Sequence, residues 1–440
     1  MAKQITLDRI INSLRITVED FPDKRIGKNL TYSMEDIALG GFSVFFTQSP
    51  SFLYHQESMK KAKGMSNAET IFQIKKIPTD NHIRDILDEV PPDEIFPVYD
   101  FILARFRKTK YFDLFRTFNR NILVALDGVW YFSSQNIHCD NCSVTEHKNG
   151  QTTYYHSAIT PAIVAAGQDK VIALRPEFIT PQDGHDKQDC ETNAAKRWID
   201  KNAKSYSQIG EITILGDDLY SRQPFCEKLL KADFHFILVC KPDSHKTLYE
   251  WVELLEEGKD IHTSTSRRWN GKIRETYTYR YANSVPLRDT EDALMVNWCE
   301  ITICNEAGGI LYKNAFITDH KIKESNVASI ASSGRARWKI ENENNNTLKT
   351  KGYHLKHNFG HGKKYLSQLL ATLNILAFLI HTILEFVDEK YRLLRKSLPT
   401  RKTFFDDFRA LTRYLCFGSW DHLMYFMLKG LEKKWILDTS

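Results

Sequence analysis

Apolar positions recur at helical spacing near both ends of the chain, while the middle carries short unbroken apolar runs. Ile10, Ile11, Leu14 and Ile16, then Ile83, Ile86 and Leu87, predict mainly helical segments from residue 1 to about 115. Ser49-Pro50-Ser51 and Pro91-Pro92 break them, because proline lacks a backbone donor and restrains its predecessor. From Asn121 the period changes. Runs at 122–126, 152–159, 171–174, 211–217 and 234–240 read as strands, with helices at about 189–202 and 224–231 between them. This alternation predicts an α/β layered sheet with three adjacent strands before the first helix. Between about 246 and 314 the chain turns to Thr/Tyr/Arg/Trp-rich alternation, as in 275–281, which reads as an inserted antiparallel β unit. From 325 onward it is helical, with a Gly/His/Lys loop at 352–364. The apolar run 369–387 is interrupted by Thr372, Asn374, His381, Thr382 and Glu385, so it predicts a buried helix rather than a membrane span.

Composition narrows this picture. With 440 residues, 42% hydrophobic and 26% charged, the chain is a globular protein of two or three domains, and bulk disorder is excluded. The formal charge of +5 says little until it is sorted by position. Residues 321–364 hold ten Lys and Arg against Glu324, Glu341 and Glu343, leaving the rest of the chain slightly acidic. Such a concentration suits a phosphate backbone. The first residues lack an apolar signal region and the eight cysteines are scattered, which together predict a cytoplasmic protein.

Three acids stand in distinct contexts. Asp127 ends one apolar strand and precedes Gly128; Asp217 ends another, in Gly216-Asp217-Asp218-Leu219-Tyr220; Glu341 lies near a helix start in Arg337-Trp338-Lys339-Ile340-Glu341. Carboxylates at strand ends of an α/β sheet project into the ligand crevice. Two aspartates and a glutamate can hold two Mg²⁺ ions, with Mn²⁺ as a substitute, and a metal pair serves in-line phosphoryl displacement. The pattern is nuclease-like.

In order and context these residues resemble the DDE transposases of bacterial insertion sequences, in the cut-and-paste group whose ribonuclease H-like core carries a β-rich insertion before the glutamate. The resemblance rests on Asp127-Gly128, Asp217-x-x-Tyr220 and Arg337-x-x-x-Glu341, and covers about 120–365. The 124 residues from Asp217 to Glu341 leave room for the insertion. It implies an α/β fold: a ribonuclease H-like core at 116–244 and 325–365, an inserted β-rich subdomain at 245–324, a helical DNA-end-binding region at 1–115, and a helical region at 366–440 for packing or dimerisation. It also implies Mg²⁺-dependent cleavage of double-stranded DNA at transposon ends, strand transfer into target DNA, and a homodimer on paired ends. Asp127, Asp217 and Glu341 would be catalytic and metal-binding, and Arg337, Lys349, Tyr220, Lys339 and Lys351 would contact DNA. A nuclease without strand transfer, or a non-catalytic DNA-binding derivative, are the alternatives. The sequence departs from the family's glutamate motif at two slots: the tyrosine slot is Gly334, and the lysine slot is Leu348, with Lys349 one residue later. Glu343 and Asp218 are the rival acids.

Cys139-x-x-Cys142 with His147 and His156 downstream could hold Zn²⁺, although the compact His-x₃₋₅-His spacing is missing. His354, His357 and His361 lie in the Gly-flanked loop and are candidates for phosphate contact or surface packing. Lys187, Gln188, Asp189, Glu191, Lys196 and Arg197 read as the solvated start of a helix. Of Trp269, Trp298 and Trp338, Trp298 could stack on a flipped base, with core packing favoured.

Overall fold

The structure, a computed structural model, describes residues 5–27, 30–59, 62–181 and 189–432. The chain opens with helices α1 (Leu7–Glu19), α2 (Met34–Phe46), α3 (Phe52–Met59), α4 (Ala62–Phe72), α5 (Asp80–Leu87) and α6 (Phe96–Phe106). Thr6, Ser33 and Thr79 cap α1, α2 and α5 by accepting from backbone amides of the first turn. Strands β1 (Ile122–Ala125), β2 (Gly128–Ser134), β3 (Ser143–Glu146), β4 (Thr152–Ile159), β5 (Ala162–Val164), β6 (Ile172–Ala173) and β7 (Glu177–Ile179) follow. Next come α7 (Glu191–Tyr206), β8 (Ile212–Gly216), α8 (Gln223–Lys231), β9 (His235–Val239) and α9 (Lys246–Glu257). Strands β10 (His262–Trp269), β11 (Arg274–Pro286), β12 (Met295–Cys304) and β13 (Ile310–Thr318) precede α10 (Glu324–Arg335), a π-helical segment (Ile340–Asn345) and α11 (Asn346–Thr350). The chain ends in α12 (Leu366–Val387), α13 (Glu389–Ser397), α14 (Arg401–Tyr414) and α15 (Trp420–Gly430).

The fold is mixed α/β. Its main sheet runs β10-β11-β12-β13-β9-β8-β1-β5-β6. Strands β1, β8 and β9 are mutually parallel, and β5 and β6 continue antiparallel from β1. All residues of β1 and β8 are buried, as unbroken apolar runs require of central strands covered on both faces. A second, smaller sheet joins β2, β3, β4 and β7. The chain passes from one sheet to the other four times, and two of these crossings lie side by side: at Leu126-Asp127 between β1 and β2, and at Thr160-Pro161 between β4 and β5. The amide of Thr160 donates to the carbonyl of Asp127 at 3.1 Å, clamping the two crossings together.

The segment expected as an inserted antiparallel β unit is the antiparallel run β10–β13, and β13 pairs with β9 so that it prolongs the main sheet. The N- and C-terminal helical regions share one core. Every residue of α12 except Gln368 and Val387 is buried, and the helix packs against α2, α5, α6 and α13. Among the described residues α12 alone is long and apolar enough to cross a membrane, and it is 94% buried within the protein. Its polar interruptions have partners: His381 Nδ1 meets the Tyr353 hydroxyl at 2.7 Å, Asn374 Nδ2 donates to the Tyr353 carbonyl at 2.8 Å, and Glu385 pairs with Arg395 and Arg401.

Asn67 ties the ends together. Fully buried on α4, it donates to the carbonyls of Thr412 and Leu415 at 2.8 and 2.7 Å and accepts from the amide of Phe417 at 2.9 Å. Asn67→Ala leaves these backbone groups without that side chain, which costs about 1–3 kcal/mol. A lower urea midpoint at an unchanged slope is the expected result; an unchanged midpoint would show that the ends are held elsewhere.

Candidate active site

Strand register brings the first two acids together. Ala125 pairs with Leu215 across the parallel β1–β8 ladder, and the amide of Leu126 donates to the carbonyl of Leu215 at 2.9 Å. Asp127 and Asp217 therefore emerge at the same edge of adjacent strands. Asp218 points elsewhere: its Oδ1 accepts from the amide of Lys241 and the hydroxyl of Ser244, both at 2.7 Å, so it anchors the loop after β9. Asp217 is the acid whose charge acts on Asp127, Glu191 and Tyr220.

Glu341 comes from the π-helical segment, whose hydrogen bonds span one residue more than those of an α-helix; such segments recur at functional sites. It is half exposed, and Arg337 Nη1 holds it at 2.7 Å. Its charge acts on Asp127. From the same segment Asn345 donates to Asp127 Oδ2 at 2.7 Å, and its own Oδ1 accepts from Thr160 Oγ1 at 2.6 Å. Asn345 was not among the expected site residues, because nothing local to 341–345 distinguishes it from its neighbours.

A fourth carboxylate enters the crevice. Glu191, read from sequence as part of a solvated helix start, opens α7 and accepts at Oε1 from the amide of Gly128 at 3.1 Å and from the Tyr220 hydroxyl at 2.6 Å. A Cβ at residue 128 would lie 2.3 Å from Glu191 Oε2, so only glycine admits this approach. Around it the expected solvated face is absent: Asp189 is buried and bonded to Arg197 at 2.6 Å. Lys187 and Gln188 lie outside the described residues.

Burial pushes the Asp127 carboxyl up to about 7, with the carboxylates of Glu191, Glu341 and Asp217 adding to the rise and Arg337 opposing it. Glu191 is also raised, chiefly by burial, with Asp217 contributing. All four groups offer hard oxygen atoms, the ligand type Mg²⁺ and Mn²⁺ take, but among the described residues the clusters with ligand atoms within 4.8 Å of one another lie elsewhere.

Several expected DNA-contacting residues take other roles. Tyr220 is fully buried and holds Glu191, so it faces no external ligand. Lys339 is 7% exposed, its ammonium 4.9 Å from the Trp338 ring centre, and is not offered to solvent. Arg337 is engaged with Glu341. Lys349 is half-buried on α11, its pKa lowered by burial and by Lys356 and raised by Asp127, which puts it within electrostatic reach of the site; Lys351 is exposed beside it. Both departures from the glutamate motif have packing causes. A Cβ at Gly334 already comes within 2.7 Å of the Phe316 ring, so a tyrosine has no room, and Leu348 is fully buried. Trp298 is 1% exposed and packs inside the extended sheet, whereas Trp269 and Trp338 are exposed.

The expected zinc ligands are partly reassigned. Cys139, Cys142 and His156 converge, but His147 lies apart, its Nε2 2.8 Å from Thr153 Oγ1. The fourth place is taken by His361, from the Gly-flanked loop that follows α11. His354 and His357 stay outside the cluster. No protein-family model and no curated protein matches this chain.

The raised Asp127 fixes a sign. Between the ordinary aspartate range and about 7, the folded protein holds a proton that the unfolded chain has released. Stability of the cation-free protein therefore falls as pH rises through that window and levels off above it. Asp127→Asn reduces the dependence, leaving the part that comes from Glu191, and stabilises the cation-free protein at pH 8 by about 1–3 kcal/mol. Thermal melts in a chelating buffer between pH 5 and pH 8 check this; an aspartate-like profile in the variant would place the repulsion on another group.

Proposed function

We propose that this protein is a DDE transposase with a ribonuclease H-like core, which cleaves DNA at transposon ends and transfers the freed 3′-hydroxyl to target DNA. The observation that carries the reading is the convergence of Asp127, Asp217 and Glu341 from two adjacent parallel strands and one helix onto a crowded site. The strand order β6-β5-β1-β8-β9, antiparallel on one side of β1 and parallel on the other, supports a ribonuclease H-like core. The strand extension before Glu341 fits the β-rich insertion of the group that the sequence resembles. The exposed lysines 351, 356 and 363 after α11 supply positive charge for a DNA backbone.

In this reading Asp127, Asp217 and Glu341 would hold the divalent ions, with Glu191 as a neighbouring carboxylate. Bound there, the ions supply Lewis acidity toward the attacking oxygen and the leaving oxygen. The side chains do the rest. Asn345 orients Asp127 through a single hydrogen bond, and Tyr220 and Gly128 fix Glu191. Arg337 steadies Glu341 and can turn to a phosphate oxygen, since its fork has donors beyond the one in the ion pair. Lys349 places a cation close to the acids, where the scissile phosphate carries its charge.

The experiment is cleavage and joining of duplexes made from the DNA that flanks the gene, with Mg²⁺. Asp127→Asn, Asp217→Asn and Glu341→Gln should each lower cleavage at least about a thousandfold while DNA binding changes little. Retained cleavage in Asp127→Asn sinks the proposed site. Cleavage without joined product favours a nuclease, and binding by wild type without cleavage favours a non-catalytic derivative.

A further inference from the structure

The small sheet and the loop after α11 meet at four side chains of metal-binding chemistry. Cys139 and Cys142 lie in the turn between β2 and β3, His156 is on β4, and His361 belongs to the loop leading into α12. The separations are 3.8 Å between the two sulfurs, 3.4 and 3.5 Å from the sulfurs to His156 Nε2, and 3.1 Å from His156 Nε2 to His361 Nδ1. A tetrahedral zinc with Zn–S of about 2.3 Å and Zn–N of about 2.0–2.1 Å requires edges of about 3.8 Å between sulfurs, about 3.5 Å from sulfur to nitrogen and about 3.3 Å between nitrogens. All measured edges match to within about 0.2 Å. The sulfurs are too far apart for a disulfide, whose bond is about 2.05 Å, and both cysteines are free.

The surroundings fit a closed structural site. Cys142 is buried and Cys139 half-buried; the amide of Cys139 donates to Cys142 Sγ at 3.4 Å, the kind of bond that stabilises a thiolate ligand. Tyr131 stacks on the His156 ring with centroids 5.6 Å apart, and Phe132 meets the His361 ring edge-on at 4.3 Å, so both imidazoles are held in orientation by packing. The other histidine–carboxylate group among the described residues differs. His235 is bonded to Asp319 at 2.5 Å and His320 to Thr213 at 3.0 Å, so hydrogen bonds account for that group without an ion.

We propose that Cys139, Cys142, His156 and His361 bind one structural Zn²⁺, which staples the sheet grown from Asp127 to the loop that follows the segment of Glu341 and Asn345. Two sulfurs and two imidazole nitrogens are the donors zinc takes in closed sites. The loop is also held by packing of Phe359 edge-on against Phe45 and Phe52 and by the pair of Lys364 with Glu89. Asp88 accepts from the amides of Lys363, Lys364 and Leu366 at 2.8–3.1 Å, and Asn141 Nδ2 donates to the Lys364 carbonyl at 2.9 Å. The staple thus joins distant stretches of chain at one point, close to the lysines that follow α11. It does not depend on the reading of the acids, and its test needs no catalytic activity.

The full-length protein, purified without added chelator, should contain one zinc per chain by elemental analysis. After stripping and reloading with Co²⁺, it should show the visible absorption of a tetrahedral site together with a thiolate charge-transfer band. Cys142→Ser and His361→Ala should abolish both signals, while His147→Ala should leave them intact. Should the first two fail to fold, titration of wild type with Co²⁺ in the presence of excess Mg²⁺ decides: a tetrahedral spectrum that Mg²⁺ does not displace supports the site. Zinc-free protein that also gives no tetrahedral Co²⁺ spectrum overturns the proposal, as does loss of metal in His147→Ala equal to that in His361→Ala. In hydrogen exchange, stripping should raise exchange in 351–365 without raising it in β1 and β8.

Discussion

Like charges repel most strongly where water is scarce, and at the ends of β1 and β8 the half-buried Asp127 and Glu191 feel the charges of Asp217 and, for Asp127, of Glu341 at the crevice mouth. Much of the nearby structure holds that repulsion in position. Asn345 and Thr160 fix Asp127 from the helix side and the strand side, Tyr220 and the Gly128 amide neutralise part of Glu191, and Arg337 restrains Glu341. The clamp between Thr160 and Asp127 lies where the chain leaves one sheet for the other, so the bend and the charge occupy the same residue.

The parts legible in the sequence were those coded by local pattern. Unbroken apolar runs marked β1, β8 and β9, and an acid at the end of a buried run is hard to explain as packing, so Asp127 and Asp217 stood out. Glu341 was identifiable from its four-residue spacing to Arg337, which the ion pair uses. Glu191 was missed because a carboxylate at a helix start is normally a favourable partner for the helix dipole and needs no further role. Its close approach to β2 depends on residue 128 having no side chain.

His361 illustrates the harder limit. Clusters of metal-binding side chains are usually recognised by short spacings, but 205 residues separate His361 from His156 in this one, and His147 sat at a more conventional distance. Only the packing of the loop against the small sheet selects between them. The same reason hid the shared helical core, since hydrophobic periodicity reveals that a helix has a buried face but not which partner covers it. Lys339 failed in the opposite direction: residue type suggested contact with DNA, while burial assigned it to the interior, as it did Trp298, for which core packing was the favoured reading.

The burial of α12 has a consequence for how the chain is made. Helix α2, with nearly every residue in the core, packs against α12, and roughly 320 residues separate the two in sequence. At a synthesis rate of about 5–20 residues per second, α2 has left the ribosome some tens of seconds before its partner exists. Through that interval the nascent N-terminal helices carry an uncovered apolar surface, open to chaperones or to the same surface on a neighbouring nascent chain. Late truncation therefore does more than remove a tail: it strands the first hundred residues without the helix that completes them.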